Sequence, residues 1–275
     1  MNKQDPFDKI ELPGVKNVLV VASGKGGVGK STVAANLAVS LAREGFRTAI
    51  FDADLYGPSI PIMFGVQNEK PTIAHYQGKE TIIPITKFGV KIISIGFFMV
   101  SNKSLIWRGP AASSGLAQLL SDTEWGELDY LIIDFPPGTG DIQLTTIQRL
   151  NLTGAILVTT PQQVAIADAR KAADMFNTKR IQVPLLGVVE NMAWFTPEKH
   201  PEEKYFLFGS GGGQQLANQL NVPLLAQIPL VCDACELGDT GQTIFASTDG
   251  TLINQFETLA DKISKLPTVS ASTNN

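Results

Sequence analysis

Apolar residues along the chain fall into short runs separated by glycine-, proline- and polar-rich breaks, and two periods alternate. Residues 16–22 (K-N-V-L-V-V-A), 47–53 (R-T-A-I-F-D-A), 91–95, 128–134 (L-D-Y-L-I-I-D), 154–160, 185–191 and 226–230 are rich in Val, Ile and Leu. Near-continuous apolar runs of this length predict strands buried on both faces of a parallel sheet. Between them, residues 31–43, 110–120, 142–150, 164–177, 209–220 and 252–266 predict helices. In the first of these, Val33, Leu37, Ala38 and Leu41 recur at helical spacing. Strand–helix alternation of this kind predicts a doubly wound α/β fold, a mostly parallel sheet flanked by helices on both faces. Residues 69–90, broken by Pro and Gly around a β-prone 81–85, read as a loop or hairpin. No repeat and no linker is evident. The expectation is one domain over 16–266, after a lead-in of 1–15 and before a Ser/Thr/Asn-rich flexible tail of 267–275.

One break has its own chemistry. Gly24-Lys25-Gly26-Gly27-Val28-Gly29-Lys30-Ser31, followed by Thr32, fits G-x-x-x-x-G-K-S/T and lies between a predicted strand end and a predicted helix start. There, backbone N–H groups and the positive end of the helix dipole can hold phosphate oxygens. Glycines let the backbone curl and approach those oxygens. Lys30 is placed to reach the β- and γ-phosphates and Ser31 to ligate Mg²⁺. A second break, this one opened by a carboxylate, follows residues 128–133. Asp134 ends that apolar run, where a charge needs a cation or hydrogen bonds to offset its burial.

Composition narrows the class. The 275 residues are 44% hydrophobic and 17% charged, enough for a sizeable core, and the net charge of −4 gives no basic footprint for nucleic acid. No run of about 18 apolar residues predicts a membrane span. The polar, acidic first residues do not resemble a signal peptide. Two cysteines, Cys232 and Cys235, cannot form a disulfide framework, and a reducing cytoplasm is the expected compartment.

The loop K-G-G-V-G-K-S-T, with Lys25 ahead of the glycines, resembles the deviant phosphate loop of the MinD/ParA/nitrogenase-iron-protein ATPases within the P-loop NTPases. That resemblance implies that Lys25 reaches across a dimer interface to the partner's nucleotide; the alternative is a solvated loop lysine. It also implies catalytic work for Lys25, Lys30 and Asp54, with Asp54 orienting the attacking water and Asp52 supporting Mg²⁺. The two aspartates could instead form an Asx-turn before Pro58. Asp134 takes the Mg²⁺-contacting position, and Gly138 and Asp141 lie in a switch loop. Asn191 takes the position whose amide reads adenine, with Pro229 lining the base; a turn-forming Asn is the alternative.

Six stretches resemble the Mrp/ApbC family more narrowly: residues 12–16, 52–60 (D-A-D-L-Y-G-P-S-I), 108–110 (Arg108-Gly109-Pro110), 131–141 (L-I-I-D-F-P-P-G-T-G-D), 190–192 and 208–213 (F-G-S-G-G-G). The resemblance implies a homodimeric, Mg-ATP-hydrolysing carrier that passes iron–sulfur clusters to apoproteins. The neutral C-terminal residues 265–275 and the lack of an evident basic patch lead to the expectation of no membrane or nucleic-acid partner. The alternative is a MinD/ParA-like dimerisation switch without a cluster. One departure matters. The family places C-x-x-C between the Asn-Met pair and the glycine stretch, where this chain has Glu198, His200 and Glu202 but no cysteine. Its pair stands at Cys232 and Cys235 instead. Two thiols from each of two subunits would make the four that a bridging 4Fe–4S cluster takes; plain structural thiols are the competing reading. His75 and His200 are expected at the surface.

Overall fold

The computed structural model describes residues 9–76, 79–99, 109–179 and 181–266. Its first half runs β1 (Val15–Ala22), α1 (Lys30–Arg43), β2 (Thr48–Asp52), α2 (Ile60–Met63), β3 (Thr72–Tyr76), β4 (Lys79–Ile83), β5 (Ile85–Lys87), β6 (Val90–Ser94) and α3 (Gly109–Asp122). The second half runs β7 (Leu128–Asp134), α4 (Asp141–Gln148), β8 (Gly154–Thr159), α5 (Gln163–Phe176), β9 (Leu185–Phe195), α6 (Gly212–Leu220), β10 (Leu224–Leu230), α7 (Cys232–Asp239) and α8 (Gly250–Ser264).

Eight strands form one sheet in the order β10-β9-β8-β1-β7-β2-β6-β5. All its neighbours are parallel except β5 against β6. β1 sits where the winding reverses: the chain leaves it toward β2 and later returns to its other side as β8. The crevice beyond the carboxyl ends of such strands is where open α/β sheets bind ligands. The register brings chemistry into one row there, with Val21 beside Asp134, Asp134 beside Asp52, and Asp52 beside Ser94.

Each face of the sheet has its own core. Leu19, Val21, Ile50 and Ile132 pack on α1 and α8, while Val20, Phe51, Leu131 and Ile133 pack on the α3–α6 side. This period-2 division explains the near-continuous apolar runs: every second residue serves a different layer. Asp52, Asp134 and Ser94 continue the series on the α1 face. The amino end of α1 therefore points its first side chains at them. α8 starts on a side-chain cap, with Asp249 accepting N–H bonds from Thr251 and Leu252 at 2.8 and 3.0 Å.

Three details depart from the sequence pattern. Residues 69–90 hold a hairpin, β3–β4, one of the two forms expected there, but it stays off the main sheet, and β5 returns antiparallel to that sheet's edge. β9 continues past Asn191 through Met192 at φ 54° to Phe195, which exchanges backbone hydrogen bonds of 2.9 and 2.8 Å with Tyr205. α7, where the pattern predicts no helix, has no buried residue and hence no apolar stripe to read. The expected lead-in up to residue 8, Arg108 and the tail from 267 lie outside the described residues. Among the described residues no helix is long and apolar enough to cross a membrane.

Candidate nucleotide site

Residues 24–29 turn from the end of β1 into α1. Gly27 and Gly29 both have φ of +80°, a region costly for any residue with a Cβ, and Gly29 is the N-cap of α1. Gly24 lies so close to the Asp168 carbonyl of α5 that a side chain there would collide with backbone. Gly26 and Gly27 are exposed and have open space where a Cβ would stand. The loop is thus pinned at both ends and open in the middle, the shape an anion cradle needs. Ser23 fixes the near end, donating to the Lys25 carbonyl at 2.9 Å. Lys25 is half-buried beside it, and Thr32 lies in the first turn of α1.

Lys30 reaches back over the sheet ends. Its Nζ lies 2.6 Å from Asp134 Oδ1, 3.7 Å from Asp54 Oδ2 and 3.2 Å from the Ser31 hydroxyl. Asp52 and Asp134 are fully buried and Asp54 nearly so. Asp134 and Asp54 thus share one ammonium, with the carboxylate of Asp52 adjoining Asp134 in the sheet register. Burial, and then the charge of Asp134, push the Asp52 carboxyl up to about 8. Burial raises Asp134 too, with Lys30 opposing the shift. Asp134 Oδ2 is buried and accepts no hydrogen bond. A buried, unpartnered carboxylate oxygen beside a serine hydroxyl, in a cluster short of positive charge, fits a hard divalent cation held by oxygen donors.

Asp52 differs from its neighbours. Its Oδ1 accepts the N–H of Asp54 at 3.1 Å, and its Oδ2 accepts the Ser94 hydroxyl at 2.9 Å and the N–H of Ile60 at 3.3 Å. Ser94 was not legible as a site residue, since nothing local marks a serine at a strand end. Gly138, at φ 93°, donates its N–H to the Ser23 carbonyl at 3.0 Å, which ties the loop after β7 to the phosphate loop.

On the other side of β1, Asn191 and Ile228 are register partners, which sets Asn191 one position from Pro229 on the next strand. The Asn191 amide donates to the Val28 carbonyl at 2.9 Å and sits where a Cβ on Gly29 would be. Beside it, Glu190 is buried. One of its oxygens accepts the N–H of Gly213 at the amino end of α6, and the other accepts the Gln227 amide at 2.7 Å. Close approach accounts for two glycines of F-G-S-G-G-G: a Cβ at Gly213 would strike Glu190, and one at Gly212 the Pro161 carbonyl.

Pro229 and Cys232 line a cavity of about 780 Å³, together with Trp194, Pro197, His200 and Lys204. Cys232 and Cys235, exposed on the first turn of α7, stand three residues apart on one helix face. Cys235 Sγ lies 3.8 Å from Asp239 Oδ2. His75 and His200 are exposed, as expected. Among the described residues, the one three-donor group within a single chain is His200, Glu202 and Glu203, all exposed. Imidazole and carboxylates suit harder ions than a cluster, which takes thiolates.

A strand–loop–helix turn whose lysine answers carboxylates from two neighbouring strands defines the class: this is a P-loop NTPase. Within that class, residues 14–264 match the model of the ParA family described as NUBPL iron-transfer P-loop NTPase, and the chain belongs to that family. Curated relatives agree. A protein of Aquifex aeolicus named iron-sulfur cluster carrier protein is 45% identical over 266 residues, covering 96% of this chain and 71% of its own. One of the same name from Pseudomonas fragi is 48% identical over 236 residues, covering 84% and 80%. Among solved structures, the nucleotide-binding protein of Archaeoglobus fulgidus in complex with ADP superposes with a TM-score of 0.73 at 37% identity, covering 86% and 90%. The cell division ATPase MinD of Pyrococcus furiosus has a TM-score of 0.66 at 22% identity, covering 91% and 99%, and shows the shared fold. The doubly wound fold and the family resemblance drawn from the motifs are both borne out.

Proposed function

We propose that the chain hydrolyses ATP as a homodimer and carries iron–sulfur clusters to apoproteins. The observation that carries the nucleotide half is the buried, unpartnered Oδ2 of Asp134, a carboxylate whose other oxygen holds Lys30 at the start of α1. Backbone N–H groups of residues 26–31 bind the phosphates, and Lys30 turns from Asp134 to the β- and γ-phosphate oxygens. Ser31 and Asp134 would hold Mg²⁺, which neutralises charge on those oxygens when bound. Asp54 orients a water whose oxygen bonds to the γ-phosphorus as the bridge to the β-phosphate breaks. The electron pair leaves on ADP, and the water's proton passes to the released phosphate. Lys25 reaches the nucleotide of a second copy. Exposed Tyr56, two residues from Asp54, and exposed Val164, one helical turn before the Asp168 carbonyl that lies against Gly24, offer apolar surface for that copy.

Support for the cargo half comes from the relatives' names and from the exposed thiols of Cys232 and Cys235. One chain offers two thiolates, and the two-fold dimer offers the four that a cluster takes. A second reading is a nucleotide-driven dimerisation switch without cargo. It draws on the absence of cysteine between Asn191 and Gly213. Anaerobic reconstitution with iron and sulfide separates the two. The carrier reading expects visible absorption, about four irons per dimer, and loss of both in Cys232→Ala/Cys235→Ala. Colourless protein that still hydrolyses ATP would support the switch.

A further inference from the structure

We infer that Asp52 and Ser94 are positioning residues that hold Asp54 in place, and that Asp52 does not serve as a cation ligand. The inference rests on the role proposed above for Asp54. Both oxygens of Asp52 are already engaged by protein donors: Oδ1 by the N–H of Asp54, and Oδ2 by the Ser94 hydroxyl and the N–H of Ile60. These contacts clip the two ends of one loop. Residues 53–59 leave β2 at the Asp54 hydrogen bond and enter α2 at the Ile60 hydrogen bond.

Ser94 supplies the fixed point. It is fully buried at the end of β6, directly across from Asp52 in the parallel register. Its hydroxyl donates to Asp52 and accepts the N–H of Gly96 at 3.0 Å, so its orientation is set from both sides. The 3₁₀ turn that follows, Ile95–Phe98, presses back on the same loop. Gly96 lies so close to Pro58 that a Cβ there would come within 2.9 Å of the proline side chain. The loop is hooked from below by Asp52 and backed by Gly96. Asp54 uses Oδ1 to accept the N–H of Tyr56 at 3.2 Å, which leaves Oδ2 toward Lys30. A carboxylate that orients water is useful only when held this tightly, because displacement of about 1 Å can cost on the order of a hundredfold in rate.

The test compares Ser94→Ala, Ser94→Thr and Asp52→Asn with the unaltered full chain in steady-state ATP hydrolysis, Mg²⁺ titration and hydrogen exchange of residues 53–61. Ser94→Ala should lower kcat on the order of tenfold while KM for ATP and the Mg²⁺ half-saturation stay within about twofold, the pattern of a transition-state effect. Exchange over 53–61 should rise as the clip loosens. Ser94→Thr, which keeps the hydroxyl, should restore both. Unchanged kcat and unchanged exchange in Ser94→Ala would overturn the inference. So would an Asp52→Asn variant whose Mg²⁺ half-saturation rises as far as that of Asp134→Asn, since that marks a cation ligand. If Ser94→Ala does not fold, Asp52→Asn and Ser94→Thr decide by the same readouts. If the unaltered chain hydrolyses no ATP, the proposed function fails. Faster exchange in Ser94→Ala would then still support the anchoring, and unchanged exchange would overturn it.

Discussion

The carboxamide of Asn191 occupies the space that a side chain on residue 29 would need. Its Nδ2 donates to the Val28 carbonyl at 2.9 Å, and Gly29 turns beneath it at φ +80°. One glycine therefore meets two demands at once, a left-handed backbone and room for a neighbour from a strand 162 positions on.

Gly29→Ala violates both demands. The left-handed conformation alone costs an alanine about 1–2 kcal/mol, and the methyl group must also displace the amide. We expect Tm to fall by roughly 5 °C and ATP affinity by about tenfold or more. Adding Asn191→Ala should relieve the collision but not the backbone strain. The double variant should therefore recover part of the lost Tm and remain below the Asn191→Ala single variant. Thermal melts and calorimetric titration with ATP check this. A double variant no better than Gly29→Ala would mean that the amide yields freely.

Lys30 should matter for folding as well as for phosphate binding. It is the ammonium beside the buried Asp134 and close to Asp54, with Asp52 adjoining in the next strand. Removing one partner of a buried pair typically costs about 3–5 kcal/mol, whereas neutralising both costs far less. Lys30→Met should therefore lower the urea midpoint markedly in nucleotide-free buffer. Lys30→Met/Asp134→Asn should recover most of the loss while binding no ATP. A double variant as unstable as Lys30→Met would show that Asp54 and Asp52, rather than Asp134, carry the unmet charge.

The part of the site that could be read from the sequence was the part whose chemistry is contiguous. Eight residues from Gly24 to Ser31 specify a loop by themselves, and Asp134 stands out because it ends an apolar run. Ser94 could not be read that way. Its partner Asp52 is 42 positions distant, and the link exists only through strand register. Glu190 and Gly213 likewise belong to different elements, and the reason for that glycine is a carboxylate 23 positions earlier. In the fold, buried strands and amphipathic helices announced themselves by period. α7 did not, because none of its residues is fully buried, and the β3–β4 hairpin gave no sign that it would leave the main sheet.

At the opposite end of the sheet, Asp129 gathers Arg47 and Lys16. Arg47 Nε and Nη2 reach its two oxygens at 3.1 and 3.0 Å, Lys16 Nζ lies at 2.9 Å, and the Arg47 backbone N–H adds a bond of 3.0 Å. The Arg47 hydrogen bonds first, and those of Lys16 next, hold this carboxyl well below the usual carboxylate range. Because the folded value lies below the unfolded one, the unfolded chain takes up the proton first as pH falls. The stabilisation is therefore fully present above the ordinary carboxylate pKa of about 3.9 and is lost as pH drops through it and on toward the folded value. Asp129→Asn should be less stable than the unaltered chain at pH 7, and the gap should close progressively below about pH 4. It should also narrow in high salt, because the pair lies near the surface. Urea midpoints measured between pH 7 and pH 2 check this. A gap that stays constant across that range would assign the effect to hydrogen-bond geometry at the start of β2 rather than to charge.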